Sequence, residues 1–368
     1  MTTPVTKPFL PPLAELMPYL ETIWATKVLS NGGQLHASLE QQLTKFLSVE
    51  NLSLFCNATT ALMVAQRALD LSGEIITTPY SFAATAHAIG WLGNKAVFVD
   101  IDPVTLCLNP SLIEEQISDR TVAIMPLHCY GNMCDVDQIS TIAAKYDLKV
   151  IYDACHSFGV QDGGGSALRH GDISVVSLHA TKVFNTFEGG ALVTSDAEIK
   201  ARVERLKNFG FVDEVTVDSV GINGKMSEFN AAVGLLQLKY FNEVNRRRGD
   251  IDRLYRERLA NVSGLQLLSP AGQVVRNYAY FPILVTAEYP ESRDDLYRRL
   301  RGHGINGRRY FYPLIPEFPP YKSSGLLASE RFPVSFGASR QVICLPLYPD
   351  LALDEVERIC DVIARCGG

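Results

Sequence analysis

One stretch of this 368-residue chain carries side chains that could do covalent chemistry: Ser174 to Thr194, SVVSLHATKVFNTFEGGALVT. Its two ends, SVVSL and ALVT, are rich in branched apolar residues and predict buried strands. Between them stands Lys182, preceded by Ser177, His179 and Thr181 and followed by Glu188-Gly189-Gly190. A lysine between two strands is by default a solvated loop residue. Polar groups crowded just ahead of it and a glycine pair that permits an otherwise blocked backbone turn argue for more. A partly desolvated amine there would have a lowered pKa and could attack a carbonyl to form a Schiff base. Lys182 is therefore the candidate nucleophile.

A second reactive position is Asp153, at the tip of the apolar run in KVIYDACHSFG. A carboxylate there is costly to desolvate without a partner. It is either a cap for a following helix or the partner of a protonated pyridine nitrogen, the pairing that keeps a pyridoxal ring electron-withdrawing. His128, Cys129, Cys134, Cys155 and His156 cluster nearby in sequence, but no pair has zinc-site spacing, so no metal is expected. Upstream, LSLFC leads through Asn57-Ala58-Thr59-Thr60 into a helical run. A strand passing through small hydroxylated residues into a helix presents free N–H groups to a phosphate; the plainer alternative is an N-cap at Asn57 or Thr59. Arg246-Arg247-Arg248 reads as a solvated helix face.

The elements that must position these groups are legible. The chain is 47% hydrophobic and 20% charged with a net charge of −6, which predicts a globular protein without a basic face for nucleic acid. The cysteines at 56, 107, 129, 134, 155, 344, 360 and 366 form no CxxC pair. With no signal peptide and no apolar run near the roughly 20 residues that cross a bilayer, they predict reduced thiols in a cytoplasmic, non-membrane protein. Residues 1–12 should be extended, with helices over 13–26 and 37–46. From residue 74 the runs EIITT, AVFVD, VAIMPL and KVIYD alternate with expected helices at 82–92, 111–117 and 136–146. That pattern predicts a mainly parallel sheet with helices on both faces and a ligand site beyond the carboxyl ends of the strands. Beyond the central stretch, 198–208 reads as a charged helix, and GINGKMSE opens a long helix extending past residue 245. A change of pattern at 268–276 precedes a smaller α/β unit: strand YAYFPILV, helix 293–303, the loop RRYFYPLIPEFPPY and a last helix from Asp354. The division expected is a large domain over 1–250 and a small one over 251–368.

The combination of DACH, SLHATK…EGG and GINGKMSE, in this order and over nearly the whole chain, resembles the DegT/DnrJ/EryC1/StrS family of pyridoxal-phosphate-dependent nucleotide-sugar aminotransferases. The resemblance implies fold type I of the aspartate-aminotransferase kind. It implies that Lys182 forms an aldimine with pyridoxal 5′-phosphate, with pyridoxamine phosphate as the intermediate carrier. Asp153 would sit under the pyridine nitrogen and Phe82 on the ring face. His156 stands where many members have a glutamine bonding the ring's phenolic oxygen. Ala58, Thr59, Thr60 and Ser177 would cradle the phosphate, with Ala58 replacing a common glycine, and Asn223 would reach the neighbouring subunit's site in a homodimer. TPYSFAATAH, IMPLHCYG, HATKVFNTFEGG and RRYFYPL look most like the enzymes that make dTDP-4-amino-4,6-dideoxy-glucose, with L-glutamate as amino donor.

Other readings stay open on the sequence. Sugar carbon and nucleotide are not fixed, so 3-keto or UDP-linked 4-keto sugars are alternatives. Dehydratases on this fold carry histidine at the lysine position, against Lys182. A non-catalytic pyridoxal-binding regulator would need a DNA-binding module, for which the residues before Asn31 leave no room. A plain α/β binding protein would carry these motifs without chemistry.

Overall fold

The computed structural model describes residues 2–269, 274–322 and 327–365. The chain enters extended, bridging Thr3 to Ile305, and forms α1 (Leu13–Thr26) and α2 (Gln34–Leu47). The first turn of α2 is capped from afar: Leu35 N and His36 N each donate to the Glu228 carboxylate at 2.9 Å. There follow β1 (Asn51–Phe55), α3 (Ala58–Ala68), β2 (Glu74–Thr77), α4 (Ala83–Trp91), β3 (Lys95–Phe98), β4 (Thr121–Met125), α5 (Val136–Tyr146) and β5 (Lys149–Asp153). A short ribbon, β6 (Gln161–Asp162) and β7 (Gly165–Ser166), leads to β8 (Ile173–Ser177), β9 (Gly190–Thr194) and α6 (Ala197–Leu206).

These strands form a seven-stranded sheet in the order β1-β9-β8-β5-β4-β2-β3. Only β9 runs against its neighbours. The apolar runs sit where such a sheet needs them, and β2, β8 and β9 are buried along their whole length. One expectation fails: 111–117 is not a helix but two single turns, Pro110–Leu112 and Glu114–Gln116. Asn109 caps the first through Ser111 N, and Ser118 N and Thr121 N already belong to the turn that starts β4, which leaves too few residues for a helix.

Helix α7 (Glu228–Leu259) runs 32 residues without a break. Ala231, Ala232, Leu235 and Phe241 pack with α2 and β1 in one core, whereas Ile251, Tyr255 and Leu259 belong to a second core. The expected boundary at 250/251 falls inside this helix, where it passes from one core to the other. The second core is built on β10 (Leu265–Leu267), β11 (Phe281–Val285), α8 (Arg293–Gly302) and, past the short α9 (Ala328–Arg331) and α10 (Pro333–Gln341), on β12 (Val342–Leu345) and α11 (Leu353–Ala364), with an antiparallel sheet β10-β11-β12; Val334, Phe336 and Ala338 of α10 pack instead with the core of β2, β4 and β5. The strand read over YAYFPILV is confined to Phe281–Val285, and residues 270–273 of the 268–276 stretch lie outside the described residues. Asp100 ties the two parts together by accepting from Val334 N at 2.9 Å and Ser335 N at 2.8 Å. Among the described residues no helix is long and apolar enough to cross a membrane.

Candidate active site

The carboxyl ends of β1, β2, β4, β5 and β8 face one way, and because β9 is reversed its first residue, Gly190, lies at that same edge. There the chain forms a cavity of about 370 Å³, within the roughly 300–1,000 Å³ of small-molecule sites. Its walls include Ala58, Thr59, Phe82, Asp153, His156, Ser177 and Lys182, seven of the nine residues singled out from sequence.

Lys182 sits on an excursion between β8 and β9 that is cross-tied at its base, Leu178 N to Gly189 O and Thr186 N to Leu178 O, both 2.9 Å. The glycine pair is required by close approach: a Cβ on Gly189 would stand 2.1 Å from Thr186 Oγ1, and one on Gly190 would stand 2.6 Å from Ala58 N. Gly190 thus lets β9 lie directly against the first turn of α3. Gly190→Ala is expected to push these apart, costing about 1–3 kcal/mol of stability and weakening phosphate-ligand binding. Thermal unfolding and a cofactor titration of the variant read both; an unchanged titration would separate the cradle from β9.

The Lys182 amine donates to Tyr280 Oη at 3.4 Å. Burial opposes its charged form, but Tyr280, Cys155 and Asp153 gathered around it outweigh that cost, and its pKa stands above the ordinary lysine value. The lowered pKa expected from sequence is therefore corrected: the free amine is held protonated. Burial raises both the Tyr280 phenol and the Cys155 thiol.

Asp153 is 3% exposed. Thr85 Oγ1 donates to its Oδ2 at 2.7 Å and Cys155 N to its Oδ1 at 3.1 Å. The backbone bond spans two residues and starts no helix, so Asp153 is no helix cap. Both donors are neutral, and no salt bridge to Asp153 forms among the described residues. His156 accepts from Tyr130 N at Nδ1, 3.1 Å, which leaves the proton on Nε2. Burial first, then the charge of Lys182, hold its pKa well below the usual histidine value, so the ring is neutral. The tautomer follows from that backbone bond. Phe311 and Tyr130 stack parallel to the ring, with centroids 6.1 and 6.5 Å away.

At the head of α3, Asn57 is the cap, its Oδ1 accepting from Thr60 N at 2.8 Å. The N–H groups of Ala58 and Thr59 precede any intrahelical acceptor and edge the cavity, as does Ser177. Thr60 is not part of the wall: its N–H is spent on the cap, and its methyl would lie 3.2 Å from a Cβ on Gly224. Phe82 precedes α4 and is 57% exposed at the mouth. Asn223 is exposed and outside the cavity wall, bridged to Asn208; the next residue, Gly224, accepts from Cys56 N at 2.8 Å.

Sequence reasoning missed Tyr280, Thr85, Arg308, Tyr310 and Phe311, all in the wall. Three of them lie in RRYFYPL, which carried the resemblance without assigned roles. Nothing in YAYFPILV marks Tyr280 as the lysine's partner. The histidines and cysteines near 128–156 are dispersed over different contacts, and among the described residues no group of three or more His, Cys, Asp or Glu could hold a metal ion.

An amine, a buried carboxyl group with no salt bridge among the described residues and a helix N-terminus around one cavity fit an aldehyde-bearing, phosphorylated pyridine. Comparison with known proteins points the same way. The chain is 52% identical to a dTDP-4-amino-4,6-dideoxy-D-glucose transaminase of Shigella dysenteriae, over 98% of this chain and 97% of that one. It is 46% identical to the transaminase of that name from Escherichia coli, over 98% of each. The solved structure of DesI in the presence of its TDP-sugar product superposes with a TM-score of 0.94 at 34% identity, covering 99% of this chain and 93% of that one. The family model matches residues 13–364, and the chain belongs to the DegT/DnrJ/EryC1/StrS aminotransferase family.

Proposed function

We propose that this aminotransferase moves an amino group from L-glutamate to dTDP-4-dehydro-6-deoxy-D-glucose, giving dTDP-4-amino-4,6-dideoxy-D-glucose and 2-oxoglutarate, a building block for O-antigen or another glycan made in the cytoplasm. The observation that carries the reading is Lys182 facing one cavity with Asp153 and the head of α3, in a chain similar over its full length to transaminases of that sugar. The test is a panel of dTDP- and UDP-linked 3-keto and 4-keto sugars with products identified by NMR. The 4-amino dTDP sugar is expected; a 3-amino or UDP-linked product would replace the assignment.

Pyridoxal 5′-phosphate, the cofactor of this family, supplies when bound an electron-withdrawing ring next to the reacting carbon. Lys182 would hold it covalently, and its free Nζ would move the proton: off the α-carbon of glutamate in the first half-reaction, onto C4 of the sugar in the second. Tyr280 Oη receives the released amine and keeps it aimed. Asp153, with its Oδ2 fixed by Thr85, would keep the ring nitrogen protonated. His156 Nε2–H would donate to the phenolic oxygen, the N–H groups of Ala58 and Thr59 with Ser177 Oγ would hold the phosphate, and Phe82 would cover the ring face.

Because the free amine is held protonated, loading of the apo-protein should speed up as pH rises. The neutral fraction grows about tenfold per pH unit below the pKa, so the rate of visible colour development should climb steadily from pH 6 to pH 9. A flat profile would mean an amine already neutral.

Asn223 is the part of the site that a single chain leaves outside. We assign it to the phosphate of the partner's cofactor in a homodimer with shared sites. Mixing Asn223→Ala with Lys182→Ala protomers should restore activity, since one site of each heterodimer then carries neither lesion. Heterodimers that form without recovering activity would place Asn223 in its own subunit's site.

A further inference from the structure

A transaminase that works in two half-reactions admits two unlike anions to one cavity in turn: an amino acid with its carboxylates and a nucleotide sugar with its diphosphate. The lysine and arginine side chains in the wall are Lys182, taken up by the reaction, and Arg308. Arg308 is built in firmly. Its N–H donates to Cys344 O at 3.0 Å and its carbonyl accepts from Cys344 N at 2.8 Å, which fixes it to the edge of β12. Its guanidinium lies 4.7 Å from the centre of the Tyr310 ring, also in the wall. That ring is anchored in turn, because Tyr80 Oη donates to Tyr310 O at 3.2 Å and Tyr130 Oη to the same oxygen. The neighbouring guanidinia are committed: Arg309 and Arg293 to Asp294 at 2.9 and 2.8 Å, and Arg340 to Glu317 at 2.7 Å. Arg308 has no acidic partner among the described residues and is solvent-accessible. A planar cation stacked on a fixed ring and left without an anion is preorganised to receive one in bidentate fashion.

We propose that Arg308 is the oxyanion clamp of the cavity, binding a carboxylate or phosphate group of the incoming substrate through its guanidinium. This rests on the aminotransferase reading above. The two possible sources, the donor's carboxylate and the sugar nucleotide's diphosphate, enter in different half-reactions and so can be told apart.

The test uses the holoenzyme with Arg308→Gln and Arg308→Lys. In one arm L-glutamate is mixed with protein carrying pyridoxal 5′-phosphate; in the other, dTDP-4-dehydro-6-deoxy-D-glucose is mixed with protein loaded with pyridoxamine 5′-phosphate. Calorimetry of unreactive L-2-hydroxyglutarate and of dTDP gives affinities independent of turnover. Arg308→Gln should raise the half-saturating concentration about 10- to 100-fold in at least one arm, with the matching calorimetric affinity falling in step and Arg308→Lys recovering part of it. A rise with glutamate assigns the carboxylate, a rise with the sugar assigns the diphosphate, and a rise in both makes Arg308 serve each in turn. Unchanged half-saturation in both arms, or a fall in limiting rate alone, overturns the proposal. A wild-type protein inert in both arms would overturn the reading beneath it instead.

Discussion

Lys182→Ala is expected to abolish transamination in both half-reactions. In the proposed mechanism the same amine holds the cofactor and shuttles the proton, and general acid–base transfer by itself is commonly worth about 10²–10⁴ in rate; with loss of covalent capture the expected fall is roughly 10⁴-fold or more. Among the described residues no other lysine lines the cavity, so none stands ready to substitute. The fold should survive, since the amine's hydrogen bond is to Tyr280 alone and the excursion that carries it is tied by backbone bonds. Matching circular dichroism of variant and wild type would verify that. Borohydride reduction of the loaded wild-type protein followed by peptide mapping should place the label on Lys182; label on another lysine would reject the assignment.

The second large effect is expected at Asp153. Asp153→Asn preserves shape and leaves an oxygen for Thr85 Oγ1, which donates at 2.7 Å in the native chain, but removes the charge we propose keeps a ring nitrogen protonated. Lost electrostatic stabilisation of this kind costs about 3 kcal/mol or more in barrier, or over a hundredfold in turnover. Cofactor binding should weaken much less, because the contacts at the head of α3 and at Ser177 are untouched. Near-normal turnover in Asp153→Asn would mean that the carboxylate serves the local turn through Cys155 N and that the ring lies elsewhere.

What could be read from sequence and what could not divide along a physical line. Buried strands announce themselves through local composition, so β1, β2, β4, β5, β8 and β9 were legible within a residue or two, and with them the edge where Lys182 and Asp153 meet. The segment 111–117 misled because its apolar spacing suits a helix, while Pro110 and the turn into β4 leave room only for single turns. Contacts between distant segments left no trace: Tyr280 is 98 positions from the lysine it meets. The sign of the Lys182 pKa shift hung on that contact, because desolvation can be guessed from a loop between strands but the groups facing the amine come from other elements. That Thr60 would stand outside the cavity wall was hidden for a similar reason. Any of several polar residues at the strand-to-helix passage could cap, and the choice of Asn57 removes Thr60 N–H from the cradle.

The account stands most directly on one spectroscopic measurement. Protein loaded with pyridoxal 5′-phosphate should be yellow, should lose its visible band on addition of L-glutamate with one equivalent of 2-oxoglutarate released, and should regain the band when dTDP-4-dehydro-6-deoxy-D-glucose is added. A visible band that glutamate leaves unchanged, with no 2-oxoglutarate formed, would contradict transfer of an amino group from glutamate at Lys182.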